Sequence, residues 1–232
     1  MGRPLRIIVP NLPFHILNRG NNRQLVFREE EDFIYFLELL KRYKKEIGFK
    51  LYHFILMPNH THFQMEPTTE GSLSKIMQRL TLAHTWYFNK KYEGVGHVWQ
   101  GRFKSSLIEK ENYFLWCGLY IELNAARSGL VQKPENWRYS SYNFYAHGET
   151  DSLITEILDV DPYYLEFGTT PKERQEKYRK SIEEVIREKF LKNIRRGLNE
   201  GVFGSSEFTQ TMKEKFKIRY LKKRGRPQKR EK

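Results

Sequence analysis

The stretch Lys50-Leu51-Tyr52-His53-Phe54-Ile55-Leu56-Met57-Pro58-Asn59-His60-Thr61-His62-Phe63-Gln64-Met65 decides the fold. Two apolar runs flank Met57-Pro58-Asn59, a turn signal, and read as a hairpin of strands over 50–56 and 60–66. Side chains alternate faces along a strand, so His60, His62 and Gln64 share one face while Thr61, Phe63 and Met65 share the other. Two imidazoles on one face can grip a single metal ion, and a pair of hydrogen-bonded sheet histidines is the alternative this pattern leaves open. Gln64 is a weaker candidate to support that pair.

Working outward, residues 14–18 read as a strand, ended by the polar turn Asn18-Arg19-Gly20-Asn21-Asn22-Arg23. Residues 29–47 read as a helix. Acidic residues crowd its first turn, Phe33, Phe36, Leu37, Leu40 and Tyr43 recur at helical spacing, basic residues crowd its end, and Gly48 stops it. Beyond the hairpin, Ser72 opens a second helix to about residue 90, with Leu73, Ile76, Met77, Leu80, Ala83 and Tyr87 as its buried stripe. After Val98-Trp99-Gln100-Gly101-Arg102-Phe103-Lys104, residues 105–108 make a fourth strand. The order strand, helix, strand, strand, helix, strand is the split pattern of an α+β, ferredoxin-like antiparallel sheet with both helices on one face. A further helix spans about 111–127. From Trp137 the periodicity weakens, 159–171 reads as a linker, and helices follow at about 172–196 and 207–217. The expected organisation is one α+β domain over 1–158, a basic helical extension over 159–220 and a basic tail over 221–232.

Apolar residues are 39% and aromatics 15% of the 232-residue chain, too rich for a disordered protein and enough for a sizeable core. The single cysteine, Cys117, excludes a disulfide framework and a thiolate metal cluster within the chain, and suits a reducing cytoplasm. No apolar run approaches a membrane span, and the N-terminus lacks a signal-peptide core. The expected location is therefore cytoplasmic and nucleoid-associated. Net charge is +13, and residues 172–232 carry 21 Lys and Arg against 9 Asp and Glu, so nearly all of the excess sits in the last quarter. Such a segment favours a polyanion, nucleic acid before an acidic membrane surface, through counterion release.

A second candidate site lies in Tyr120-Ile121-Glu122-Leu123-Asn124. Tyr120 and Asn124 are one helical turn apart and share a face. If that face covers the sheet beside His60 and His62, a hydroxyl, an amide oxygen and two imidazoles converge. A phenol is a poor nucleophile unless a base or a cation favours its ionised form. A divalent ion on His60 and His62, with Asn124 as third ligand, would polarise a phosphodiester, and attack by Tyr120 would leave a covalent phosphotyrosine. The mixed nitrogen and oxygen ligand set suits Mn²⁺ or Mg²⁺ better than a closed zinc site.

Four ordered segments carry a resemblance: Phe14-His15-Ile16-Leu17-Asn18-Arg19-Gly20-Asn21, Leu56-Met57-Pro58-Asn59-His60-Thr61-His62, Trp99-Gln100-Gly101-Arg102-Phe103-Lys104-Ser105, and Tyr120-Ile121-Glu122-Leu123-Asn124-Ala125-Ala126-Arg127-Ser128-Gly129-Leu130-Val131. Over roughly residues 5–145 the chain resembles the HUH single-tyrosine transposases, and within them the REP-associated (IS200-like) tyrosine transposases. The resemblance implies a metal-dependent endonuclease and strand transferase that cuts single-stranded DNA next to palindromic hairpins. In that family the tyrosine forms a 5′-phosphotyrosine link and frees a 3′-hydroxyl. It maps His60 and His62 onto the HUH pair, Tyr120 onto the nucleophile and Asn124 onto the helix ligand. It allows both monomers and homodimers, with the tyrosine acting in cis or in trans. The residue between the histidines departs from the pattern: Thr61 is smaller and more polar than the usual bulky hydrophobe, though its β-branch still suits a strand.

Other residues are weighed against plainer roles. Tyr113 competes with Tyr120 as nucleophile and loses on its spacing to Asn124. His15, His53, His84, His97 and His147 lack comparable partners and read as sheet, helix or loop residues. Arg102 and Lys104 suit phosphate pairing, and Trp99 and Phe103 either stack on unpaired bases or turn into the core. Arg19, Asn22 and Arg23 form a turn that can meet a phosphate backbone. Arg224-Gly225-Arg226-Pro227 resembles an AT-hook core, in which arginines follow the negative potential of a narrow minor groove. The runner-up function is a non-catalytic DNA or RNA hairpin-binding regulator on the same fold.

Overall fold

The computed structural model describes residues 9–70, 72–185 and 188–216. Five strands, β1 (Phe14–Arg19), β2 (Phe49–Met57), β3 (His60–Pro67), β4 (Lys104–Ile108) and β5 (Val202–Phe203), form one sheet in the order β2-β3-β1-β4-β5. The first four pair antiparallel, as the split pattern requires, and β5 adds in parallel to the β4 edge. The register pairs Leu17 with His62 and His15 with Gln64, so β1 and β3 place their histidines on one face.

Helix α1 (Glu30–Ile47) starts on a reciprocal capping pair, Glu29 with Asp32, and ends at Gly48 with φ 79°. With α2 (Ser72–Lys91) it covers the face carrying Phe14, Ile16, Phe54, Phe63 and Met65. The strand alternation thus delivers Thr61, Phe63 and Met65 to the α1/α2 side and the histidines to the other side.

That second face is covered as well. Helix α3 (Asn112–Glu122) lies across β2 and β3, followed by α4 (Asn124–Arg127), α5 (Tyr142–His147), α6 (Ser152–Ile157), α7 (Pro162–Leu165), α8 (Pro171–Val185), α9 (Glu188–Glu200) and α10 (Ser206–Lys215). Leu119 and Ile121 of α3, Tyr145 of α5, Tyr178 of α8 and Ile194 of α9 make a second core against Ile55 and Met57. The single helix expected over 111–127 is broken at Leu123. The Asn124 amide donates to the Tyr120 and Ile121 carbonyls, taking acceptors the helical backbone would otherwise use.

The stretch 159–171 is packed, where a linker was expected. The Asp159 amide donates to the Leu51 carbonyl at 2.7 Å, and Asp161, fully buried, bonds His53 at 3.0 Å. Tyr164 joins the second core, and the buried charge of Asp161 is paired with His53, anchors that no regular spacing announces in the sequence. Residues 221–232, including Arg224 and Arg226, lie outside the described residues.

Candidate active site

β3 supplies His60 and His62, and each spends one ring nitrogen on a protein partner. His60 Nδ1 lies 2.6 Å from Asn59 Oδ1, and His62 Nδ1 lies 2.8 Å from His15 Nε2. Neither Nε2 makes a hydrogen bond among the described residues. Burial lowers His60 to about 4, helped by the Arg19 charge, and holds His62 well below its ordinary value. Burial also lowers His15 to about 3. All three imidazoles are therefore neutral at neutral pH, the form that ligates metals.

α3 brings Tyr120 over this face. Its ring centroid is 6.3 Å from those of both His15 and His62. Tyr113 points elsewhere, against Trp116 and Phe203 at 5.1 and 5.2 Å. Gln64 ties the strand to the same helix, its Nε2 donating to the Phe114 carbonyl at 3.1 Å. Asn124 is turned back on its own helix through its Nδ2, at 2.9 and 3.0 Å from the two carbonyls, and makes no hydrogen bond to either histidine. Its amide oxygen takes no part in these bonds.

His15 is the residue sequence reasoning missed. It was read as a sheet residue without a partner, and it bonds His62 directly. Alternation along β1 places it on the outward face, but only the β1–β3 register reveals the contact.

Of the residues expected to meet nucleic acid, Arg19, Asn22, Arg23, Arg102 and Lys104 lie on segments joined beside the pair. Arg19 pairs with His60 across β1 and β3. The Gly20 amide donates to Asn59 O at 2.8 Å, the Asn21 amide to Val98 O at 2.8 Å, and the Gln100 amide to Arg19 O at 2.7 Å. A Cβ on Gly20 would meet Gln24 O at 2.3 Å, so only glycine permits this approach. Asn22 and Arg23, both exposed, hold left-handed backbones at φ 51° and 61°, a strained geometry concentrated at functional turns. Arg102 and Lys104 are exposed as well. Trp99 is corrected: it is buried against Phe27, Phe36 and His84, so its ring serves the core and is not free to stack on a base. Phe103 is buried too.

A cleft of about 60 Å³ opens between His15, His62, Tyr120, Lys104, Arg195 and Asn199. The last two come from α9, which the Ser106 hydroxyl fastens to β4 by donating to Leu198 O at 2.5 Å. Among the described residues no three His, Cys, Asp or Glu side chains gather as a closed metal site. The two free Nε2 atoms with their orienting partners fit an open one. No described helix is long and apolar enough to cross a membrane.

The profile of the IS200-like transposases matches residues 8–124. A solved structure of a REP-associated tyrosine transposase bound to a REP hairpin aligns at TM-score 0.53 and 17% identity, covering 64% of this chain and 87% of that one. A provisionally assigned transposase of Deinococcus radiodurans aligns at TM-score 0.37 and 16% identity, covering 58% of this chain and 97% of that one. A comparison with curated proteins found no match. The matched span contains both histidines and the whole tyrosine helix, ending at Asn124 just past it, and the chain belongs to the IS200-like transposase family.

Proposed function

We propose that this chain is a metal-dependent endonuclease and strand transferase acting on single-stranded DNA beside a palindromic hairpin, of the REP-associated kind. The observation that carries the reading is Tyr120 held over a pair of neutral histidines whose outer nitrogens are unspent. The Tyr120 oxygen attacks the scissile phosphorus, the bond to the 3′ oxygen breaks, and a 5′-phosphotyrosine forms. One proton passes overall from the phenol to the departing 3′ oxygen, and the freed 3′-hydroxyl can reverse the step on another strand. Mn²⁺ or Mg²⁺ bound by His60 and His62, with the Asn124 amide oxygen completing the protein ligands, would neutralise charge growing on the phosphate oxygens. Arg19, Asn22, Arg23, Arg102 and Lys104 hold the strand by its phosphates.

The test is incubation of labelled hairpin DNA, taken from repeats flanking the gene, with the protein and Mn²⁺ or Mg²⁺, followed by denaturing gel and peptide mapping. An adduct on Tyr120, lost in Tyr120→Phe while hairpin affinity is kept, is the expected result. His60→Ala with His62→Ala should abolish metal-dependent cleavage. Adduct persisting in Tyr120→Phe reassigns the nucleophile. Tight binding without adduct or cleavage identifies a non-catalytic hairpin binder.

A further inference from the structure

Two arginines, Arg127 and Arg195, stand by Tyr120, and among the described residues no carboxylate pairs with either. Arg127, one turn past the break at Leu123, lays its guanidinium over the Tyr120 ring, its central carbon 4.6 Å from the ring centroid. A guanidinium stacked in this way presents its N–H groups outward in its own plane, where they can grip an anion. Arg127 Nη1 is buried and has no hydrogen-bond partner among the described residues, an arrangement that costs stability unless a ligand fills it. The second arginine, Arg195, comes from α9 and lines the cleft with Tyr120, His62 and Lys104. Among the described residues neither arginine forms an ion pair with a carboxylate. Burial lowers the Arg127 pKa against the opposing pull of Tyr120, which the guanidinium also hydrogen-bonds, and the Arg195 charge adds to the lowering, so the two cations lie within electrostatic reach of each other. Arg127 also bears on His62. Like charges held together beside an unfilled donor mark the place of an absent anion.

We propose that Arg127 and Arg195 form a phosphate clamp that holds one backbone phosphate of the DNA strand against Tyr120. The clamp joins the residue downstream of the tyrosine to the carboxy-terminal extension, so the extension contributes a binding residue to the site. Arg195 is exposed on a helix whose Leu191, Ile194 and Leu198 face the protein, so its side chain is spare to the packing. The inference rests on the site engaging a DNA strand, and its test reads binding separately from chemistry.

The full chain and its Arg195→Gln and Arg127→Lys variants would be titrated with a hairpin carrying a single-stranded flank. Methylphosphonate would replace one flank phosphate at a time, with adduct formation followed in parallel. Arg195→Gln is expected to weaken binding by about tenfold, the worth of one charge-assisted hydrogen bond, and to lower the slope against log salt by about 1. At one flank position the methylphosphonate should cost the native chain about as much and cost Arg195→Gln almost nothing, because both remove the same contact. Arg127→Lys keeps the charge without the fork and should show an intermediate loss at that same position. Losses that add at every position, native affinity in Arg195→Gln, or no binding of the flank by the native chain would each overturn the clamp. Positional coupling without any adduct would keep the clamp and refute cleavage, whereas adduct without coupling would do the reverse.

Discussion

At the residue scale, the chemistry of the site depends on which nitrogen of each imidazole is spent. His62 reaches a metal through Nε2 only if Nδ1 carries the proton, and the 2.8 Å contact to His15 Nε2 supplies the acceptor for it. His15 itself stays neutral because burial lowers it to about 3, so it can accept. Removing such an orienting partner usually lowers metal affinity by roughly 10 to 100-fold. His15→Ala is therefore expected to lose that much Mn²⁺ affinity by calorimetry, and His15→Gln, which restores an acceptor, to lose less. A folded His15→Ala protein binding Mn²⁺ as the native chain does would remove His15 from the site.

At the element scale, α3 is positioned by what it packs on. Gly118 faces the His53 ring so closely that an added Cβ would lie 2.6 Å from two of its atoms. His53 cannot yield, because Glu122 and Asp161 hold its two nitrogens at 2.8 and 3.0 Å. Alanine in a helix normally gains about 1 kcal/mol over glycine, but overpacking a filled core costs about 1–3 kcal/mol. Gly118→Ala should thus lower the unfolding free energy and shift Tyr120 off the histidine face. Denaturant titration and adduct yield check the two halves, and an unchanged or raised stability would show that α3 has room to move.

At the scale of the whole molecule, one buried polar cluster joins parts distant in the chain. His53 of β2 sits between Glu122 of α3 and Asp161. Glu122 also accepts from the Ser141 hydroxyl at 2.5 Å and from Tyr178 of α8 at 2.6 Å, and Tyr145 stacks on the imidazole at 4.5 Å. Burial alone would lower the His53 pKa, but the Glu122 charge and the bonds to Asp161 and Glu122 outweigh it and raise it to about 9. The folded value lies above the ordinary 6.5, so this contribution is full below about pH 6.5 and is lost as pH rises through about 9. The span corresponds to about 3 kcal/mol. Unfolding free energies measured from pH 6 to 10 should fall over that window relative to His53→Gln, and parallel profiles would show that His53 is not charged in the fold. The extension is fixed to this body by further contacts: β5 pairs with β4, and the Ser205 hydroxyl, which caps α10, bonds Glu109 at 3.0 Å.

Much of this was legible before any tertiary structure. Period-two alternation placed His60 and His62 on one face, helical spacing found α1 and α2, and element order named the ferredoxin-like sheet, because these signals are local and repeat along the chain. The packed stretch 159–171, the buried Trp99, the His15 contact and the arrival of Arg195 beside Tyr120 were not legible. Each depends on which distant strand or helix arrives alongside, and residues 47 apart, as His15 and His62 are, meet only through the sheet register. Composition set a basic carboxy-terminal quarter apart from a neutral body, and only the tertiary structure decided that its helices close over the tyrosine face, because apolar burial is settled by the partner surface available.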